Sequence, residues 1–202
     1  SLTFTAANWN IAQTVTVTGV QDYANDGNVL YTVVLGTATS TDLNFDGLNP
    51  ADLWLTNLET ADGAPGNTVP GAQTLEEDTA LVFSSANGNA IAVSDVDAGP
   101  NAMHVTLSVT NGALTLGGVS GLSFTSGANG SATMTFTGTI ADINAALSGL
   151  RFDPTADFNG SAVLSLSTDD QGNSGTGGAQ SDNDTVAITV SAVNDAPSAT
   201  NL

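Results

Sequence analysis

The chain has 202 residues, 41% of them apolar, and carries 20 acidic residues against one base, a formal net charge of −19. That balance excludes nucleic acid and anionic lipid as partners, because both are bound by positive charge, while the apolar content is too high for a disordered acidic tail. The lack of cysteine excludes disulfides, iron–sulfur clusters and thiolate zinc sites.

Glycine is abundant, at 22 residues, and aromatics are sparse, at 5%. This mix favours strands and turns over helices. In chain order, alternating apolar runs predict strands at 2–5, 13–18, 29–35 and 52–58. The break "ETADGAPGNTVPGAQT" follows, rich in Pro and Gly, and predicts a domain boundary. Further strands are predicted at 80–83, 90–94, 104–109, 113–116, 131–137, 150–152, 162–167 and 185–190. One segment departs from the pattern. "TIADINAALSGL" places Ile140, Ile143, Ala146 and Leu147 at helical spacing, with Thr139 to cap the start and Gly149 to end it. The apolar runs are strand-sized, so no helical membrane insertion is predicted.

These elements predict an all-β fold. A Greek-key β-sandwich spans 71–197 with one short helix near 140–148. A partial sandwich over 1–62 precedes it, a linker occupies 63–70, and 198–202 begins the next linker. Four strands are about half of a seven-strand sandwich, so the first part is expected to leave an apolar face and a bare edge open. Its missing strands then lie outside this sequence or come from another chain. The opening "SLTFTAANWN" reads as the interior of a longer polypeptide.

Position says more than number about the acids. Of the 20, 17 are Asp and three are Glu. The short arm of Asp sets its carboxylate near the backbone, as calcium loops require. "IAVSDVD" ends a strand on Asp95 and Asp97, whose carboxylates share one side with their Cα atoms about 7 Å apart. At that spacing two like charges repel by about 2 kcal/mol at an effective dielectric near 20, and a bound cation reverses the sign. Strand parity brings Asp169 and Asp170 to the same pole, and the linker delivers Asp62 there. The other pole collects Glu76, Glu77, Asp153, Asp157, Asn194 and Asp195. Calcium takes six to eight oxygens, so each pole is expected to need an adjacent domain to complete its shell. Acids gathered at strand ends favour metal junctions over a merely solvated acidic surface.

The pieces "LEEDTAL", "IAVSDVDAG", "LTLGGVSGLSF", "TGTIADINAALSGLRFDPTADFNG", "STDDQGNSGTGG" and "AVNDAP" give 71–197 a resemblance to the cadherin-like tandem repeats of giant secreted bacterial adhesins. "LTFTAANWNIAQTVTVTGVQDYANDGNVLYTVVLG" resembles the second half of a Calx-beta-like repeat. The resemblance implies immunoglobulin- or cadherin-type sandwiches strung head to tail on the cell surface, with calcium at the junctions. It implies that Glu77, Asp153, Asn194 and Asp195 serve one junction and Asp95, Asp97 and Asp170 the other. The implied partners are neighbouring modules of the same chain or identical chains, and the implied role is a spacer in adhesion or biofilm. The ending "VNDAPS" is a shorter acidic linker than cadherins proper carry.

Other features have plainer readings. "DLNFDG" (42–47) has the start of an EF-hand-type loop, but Leu53 stands where the closing Glu belongs, so an Asx-rich turn is expected. Asp22 and Asp26 belong to a similar hairpin loop. His104 alternates outward with Thr106 and Ser108, and no nucleophile motif accompanies it, so no enzyme is predicted. Trp9 and Trp54 keep polysaccharide binding as an alternative, and self-assembly by strand donation is another. Arg151 beside Asp153 predicts a structural ion pair.

Overall fold

The computed structural model describes residue 5, residues 7–20, residue 23 and residues 26–194. Among them are thirteen strands and one helix, in two compact units. The first unit covers Ser1–Asp22 and Asn28–Leu58, and the second covers Tyr23–Gly27 and Glu59–Leu202.

In the first unit β1 (Val29–Val33) pairs antiparallel with β2 (Leu53–Asn57), Val33 opposite Leu53 and Tyr31 opposite Leu55. The run predicted to continue to residue 35 stops at Val33, because the Leu35 amide donates to the Asp52 carboxylate at 2.8 Å instead of to a ladder. Residues 13–18 form no strand, and of the strand expected at 2–5 only Thr5 is described, outside any strand. Val15, Val17, Val33, Leu35, Leu53 and Leu55, with Gln13, line an open concavity of about 450 Å³. Trp54 lies opposite Thr32 and is 69% exposed, so it belongs to no core.

The second unit is an all-β sandwich with one short helix. Its strands are β3 (Gly66–Thr68), β4 (Gln73–Glu76), β5 (Leu81–Phe83), β6 (Ala92–Ser94), β7 (Met103–Val109), β8 (Gly112–Thr115), β9 (Ser123–Ser126), β10 (Thr133–Gly138), β11 (Leu150–Pro154), β12 (Gly160–Asp169) and β13 (Ser181–Ser191). A six-stranded sheet runs β4-β13-β12-β7-β10-β9, a three-stranded sheet runs β5-β11-β8, and β3 pairs with β6. Period-two alternation turns Met103, Val105, Leu107 and Val109 inward from β7, and Leu164 and Leu166 from β12. They share one core with Phe83, Leu114, Leu150 and Phe152 of the smaller sheet. β3, β4 and β9 were not predicted. They are short and largely polar, and pairing with β6, β13 and β10 makes them strands. The stretch read as a linker, 63–70, thus contains β3.

The helix α1 (Ile140–Leu147) forms where the spacing predicts it. The Thr139 hydroxyl accepts the Asp142 amide and donates to the Asp142 carboxylate, satisfying an orphan donor of the first turn. Ile143, Ala146 and Leu147 are buried. On its other side, the Asn144 carboxamide takes the place of a strand: Oδ1 accepts the Val93 amide and Nδ2 donates to the Val93 carbonyl, both at 2.8 Å. This fixes β6 just before it delivers two aspartates. Among the described residues no helix is long and apolar enough to cross a membrane.

Candidate metal centre

β3 and β6 are antiparallel, with Gly66 opposite Ser94. The residues before β3 and after β6 therefore meet at one pole. β12 ends there too: Thr168, next to its last residue, donates its hydroxyl to Asn67 of β3 at 2.7 Å, and Asp169 lies opposite Ser181, the first residue of β13. Strand pairing and this bond together gather residues 62–65, 95–97 and 169–171.

Each carboxylate is held by one edge. Asp95 Oδ1 accepts the amides of Asp97 and Ala98 at 3.0 and 3.1 Å, an Asx turn. Asp97 Oδ2 accepts the Gly63 amide at 2.9 Å. Asp170 Oδ1 accepts the amides of Gly172 and Gln180, both at 2.8 Å. Asp62 is held through its backbone: its amide donates to the Thr176 carbonyl at 3.0 Å and its carbonyl accepts Gln180 Nε2 at 2.7 Å. Gly175 makes that approach possible. Its φ is +76°, and a Cβ there would stand 2.5 Å from the Asp62 amide nitrogen.

The remaining oxygens are the informative ones. Both Asp62 oxygens, Asp95 Oδ2, Asp97 Oδ1 and Asp170 Oδ2 are buried without a hydrogen-bond partner. Asp62, Asp97 and Asp170 are only 8%, 9% and 5% exposed. Burial, then the charges of Asp170 and Asp97, raises the Asp62 carboxyl above its ordinary pKa. Burial, then the neighbouring Asp97 side chain, pushes Asp95 up to about 6. No protein cation relieves this. Arg151, the single Lys or Arg of the chain, is paired with Asp153. A native fold rarely leaves buried acceptors orphaned, and these fit a hard, oxygen-seeking cation. As they stand, no three His, Cys, Asp or Glu side chains among the described residues are grouped closely enough to hold a metal ion.

The predicted residues thus separate. Asp62, Asp95, Asp97 and Asp170 come together. Asp169 alternates to the other side of β12, in register with His104, and its Oδ1 accepts the Gln171 amide at 2.7 Å. At the opposite pole Glu77 is 5% exposed but has partners at both oxygens: Oε1 accepts the Val193 amide at 2.7 Å and Oε2 accepts Asn159 Nδ2 at 3.4 Å. Asp153 is engaged by Arg151, Asn194 is exposed, and Asp195 lies outside the described residues. The 42–47 loop is an Asx turn, Asp42 Oδ1 accepting the Asn44 amide and Asp46 Oδ1 that of Ser40, both at 3.0 Å.

Two residues near the site were not predicted. Gln180 holds Asp62 and Asp170 through its side chain and backbone. Asn67 accepts the buried Thr168 hydroxyl at 2.7 Å, and its own Nδ2 is buried without a partner. No local signal in the sequence marks either residue. No family model matches the chain, and no curated protein matches it.

Proposed function

We propose that the second unit is a calcium-stabilised structural module, a spacer within a long secreted surface chain. The observation that carries this reading is the set of buried, unpartnered carboxylate oxygens on Asp62, Asp95, Asp97 and Asp170. Calcium tolerates irregular shells of carboxylate and carbonyl oxygens, which suits four aspartates from three separate segments. Bound there, it cancels their repulsion and ties the incoming segment at Asp62 to the β6–β7 and β12–β13 turns.

The path of the chain supports the spacer role. The incoming segment joins the sandwich at the aspartate pole, by a bridge between Ala61 and Thr176. β13 starts at that pole and ends at the other. A module whose two ends lie at opposite poles is suited to stringing in tandem. The reading places the module outside the cell, where free calcium is plentiful. Enzymatic activity forms no part of this reading. The test is calcium titration followed by thermal melting. A rise in midpoint with calcium that is reduced in Asp62→Asn and Asp170→Asn supports the reading, and the same midpoint in calcium and chelator refutes it.

The open face of Val15, Val17, Val33, Leu35, Leu53 and Leu55 favours a second reading, self-association through the first unit. Light scattering tests it; a monodisperse monomer at high protein concentration rules it out.

A further inference from the structure

The six-stranded sheet contains one parallel pair. β4 and β13 match from Gln73 opposite Ile188 to Glu76 opposite Ser191. They are the first and last strands of that sheet in chain order. Beyond the last matched pair the two segments stay joined. The Glu77 amide donates to the Ser191 carbonyl at 2.9 Å, and Glu77 Oε1 accepts the Val193 amide at 2.7 Å. A carboxylate only 5% exposed, with no base beside it, thus holds a backbone amide two residues past the end of a strand.

Strand direction decides how such a pair meets tension. A pull on the chain ahead of β4 draws that strand toward its start, and a pull beyond β13 draws that strand toward its end. Parallel neighbours then slide past each other, and every rung is strained at once. The adjacent pair β12–β13 is antiparallel, with Gly160 opposite Val190. Pulled apart from that end, its rungs break one after another. Each rung is worth only about 1 kcal/mol, but rungs that must break together make a higher barrier, and forced unfolding follows the barrier.

We propose that β4 and β13, closed by Glu77, form a shear clamp that resists a pull between the segment just ahead of β4 and the chain beyond β13. The clamp uses none of Asp62, Asp95, Asp97 or Asp170, so it stands or falls apart from the calcium reading. It assigns to Glu77 a role as a latch on the outgoing chain.

The chain has no cysteine, so handles can be placed cleanly on the full-length protein. Optical tweezers would pull Ala72→Cys/Ala196→Cys, which shears β4 against β13, and Ala156→Cys/Ala196→Cys, which peels β12 from β13. Both pulls are made in chelator, so a failed cation site leaves the comparison intact. The shear geometry is expected to need the higher force at the same loading rate, because its rungs break together. Glu77→Ala lowers the shear force, and Glu77→Gln, which keeps an oxygen toward Val193, retains most of it. Equal forces in the two geometries overturn the clamp, and a shear force unchanged by Glu77→Ala overturns the part assigned to Glu77.

Discussion

Asp62→Asn separates a cation site from an ordinary polar cluster, because its effect changes sign with calcium. The side chain keeps its shape and loses its charge. In chelator, Asp62 carries a charge that burial and the charges of Asp170 and Asp97 disfavour. One such pair at about 7 Å costs about 2 kcal/mol before screening. Removing the charge should stabilise the ion-free protein by about 1 kcal/mol and raise the melting midpoint by roughly 3 °C. With calcium at one hundred times its dissociation constant, the parent protein gains about 2.7 kcal/mol, or about 8 °C. The variant, having lost a ligand charge, binds at least about tenfold more weakly and forfeits about 1.4 kcal/mol of that gain. The two melting curves, followed by circular dichroism, therefore exchange order between chelator and calcium. If Asp62→Asn lowers the midpoint by the same amount in both buffers, Asp62 is a plain structural residue and the electrostatic reasoning is wrong.

Acidity tests the same cluster without metal. Asp95, pushed up to about 6, and Asp62, also raised, bind protons more readily folded than unfolded. In chelator, the stability these two groups contribute should be full below about pH 4 and be lost as pH rises through about 6; Asp95→Asn should flatten that part of the slope, as read by urea midpoints. Gly175→Ala places a Cβ against the Asp62 backbone at a positive φ, and should cost roughly 1–3 kcal/mol and weaken calcium binding at least about tenfold by calorimetry. Asn144→Ala leaves the Val93 amide and carbonyl without their partner, a loss of about 2 kcal/mol in chemical denaturation. Phe152→Ala empties a fully buried site between the sheets, and should cost about 3–5 kcal/mol with the calcium affinity of the surviving folded protein unchanged.

The parts legible in the sequence were those with a short-range period. Alternation along 104–109 and 162–167 marked inward and outward faces, and the spacing of Ile140, Ile143, Ala146 and Leu147 marked α1 with its Thr139 cap. Parity also placed Asp95, Asp97 and Asp170 at one pole, since each closes or follows a strand of readable phase. β3, β4 and β9 were not legible, because short polar segments become strands only when a long neighbour supplies the ladder. The division between the poles was hidden for a related reason. Glu77 and Asp62 look alike as acids near strand ends, and what distinguishes them is the Val193 amide, which is 116 positions away in sequence and in reach of Glu77 alone.

Arg151 is committed to Asp153, and it is the chain's single Lys or Arg. Subtracting the four clustered aspartates from 20 acids leaves 16, of which one faces a guanidinium. The rest keep a cloud of mobile sodium around the molecule. Neighbouring copies crowded on one surface would be held apart by the osmotic pressure of that cloud, like the bristles of a polyelectrolyte brush, and the layer would swell in dilute media and thin in brine.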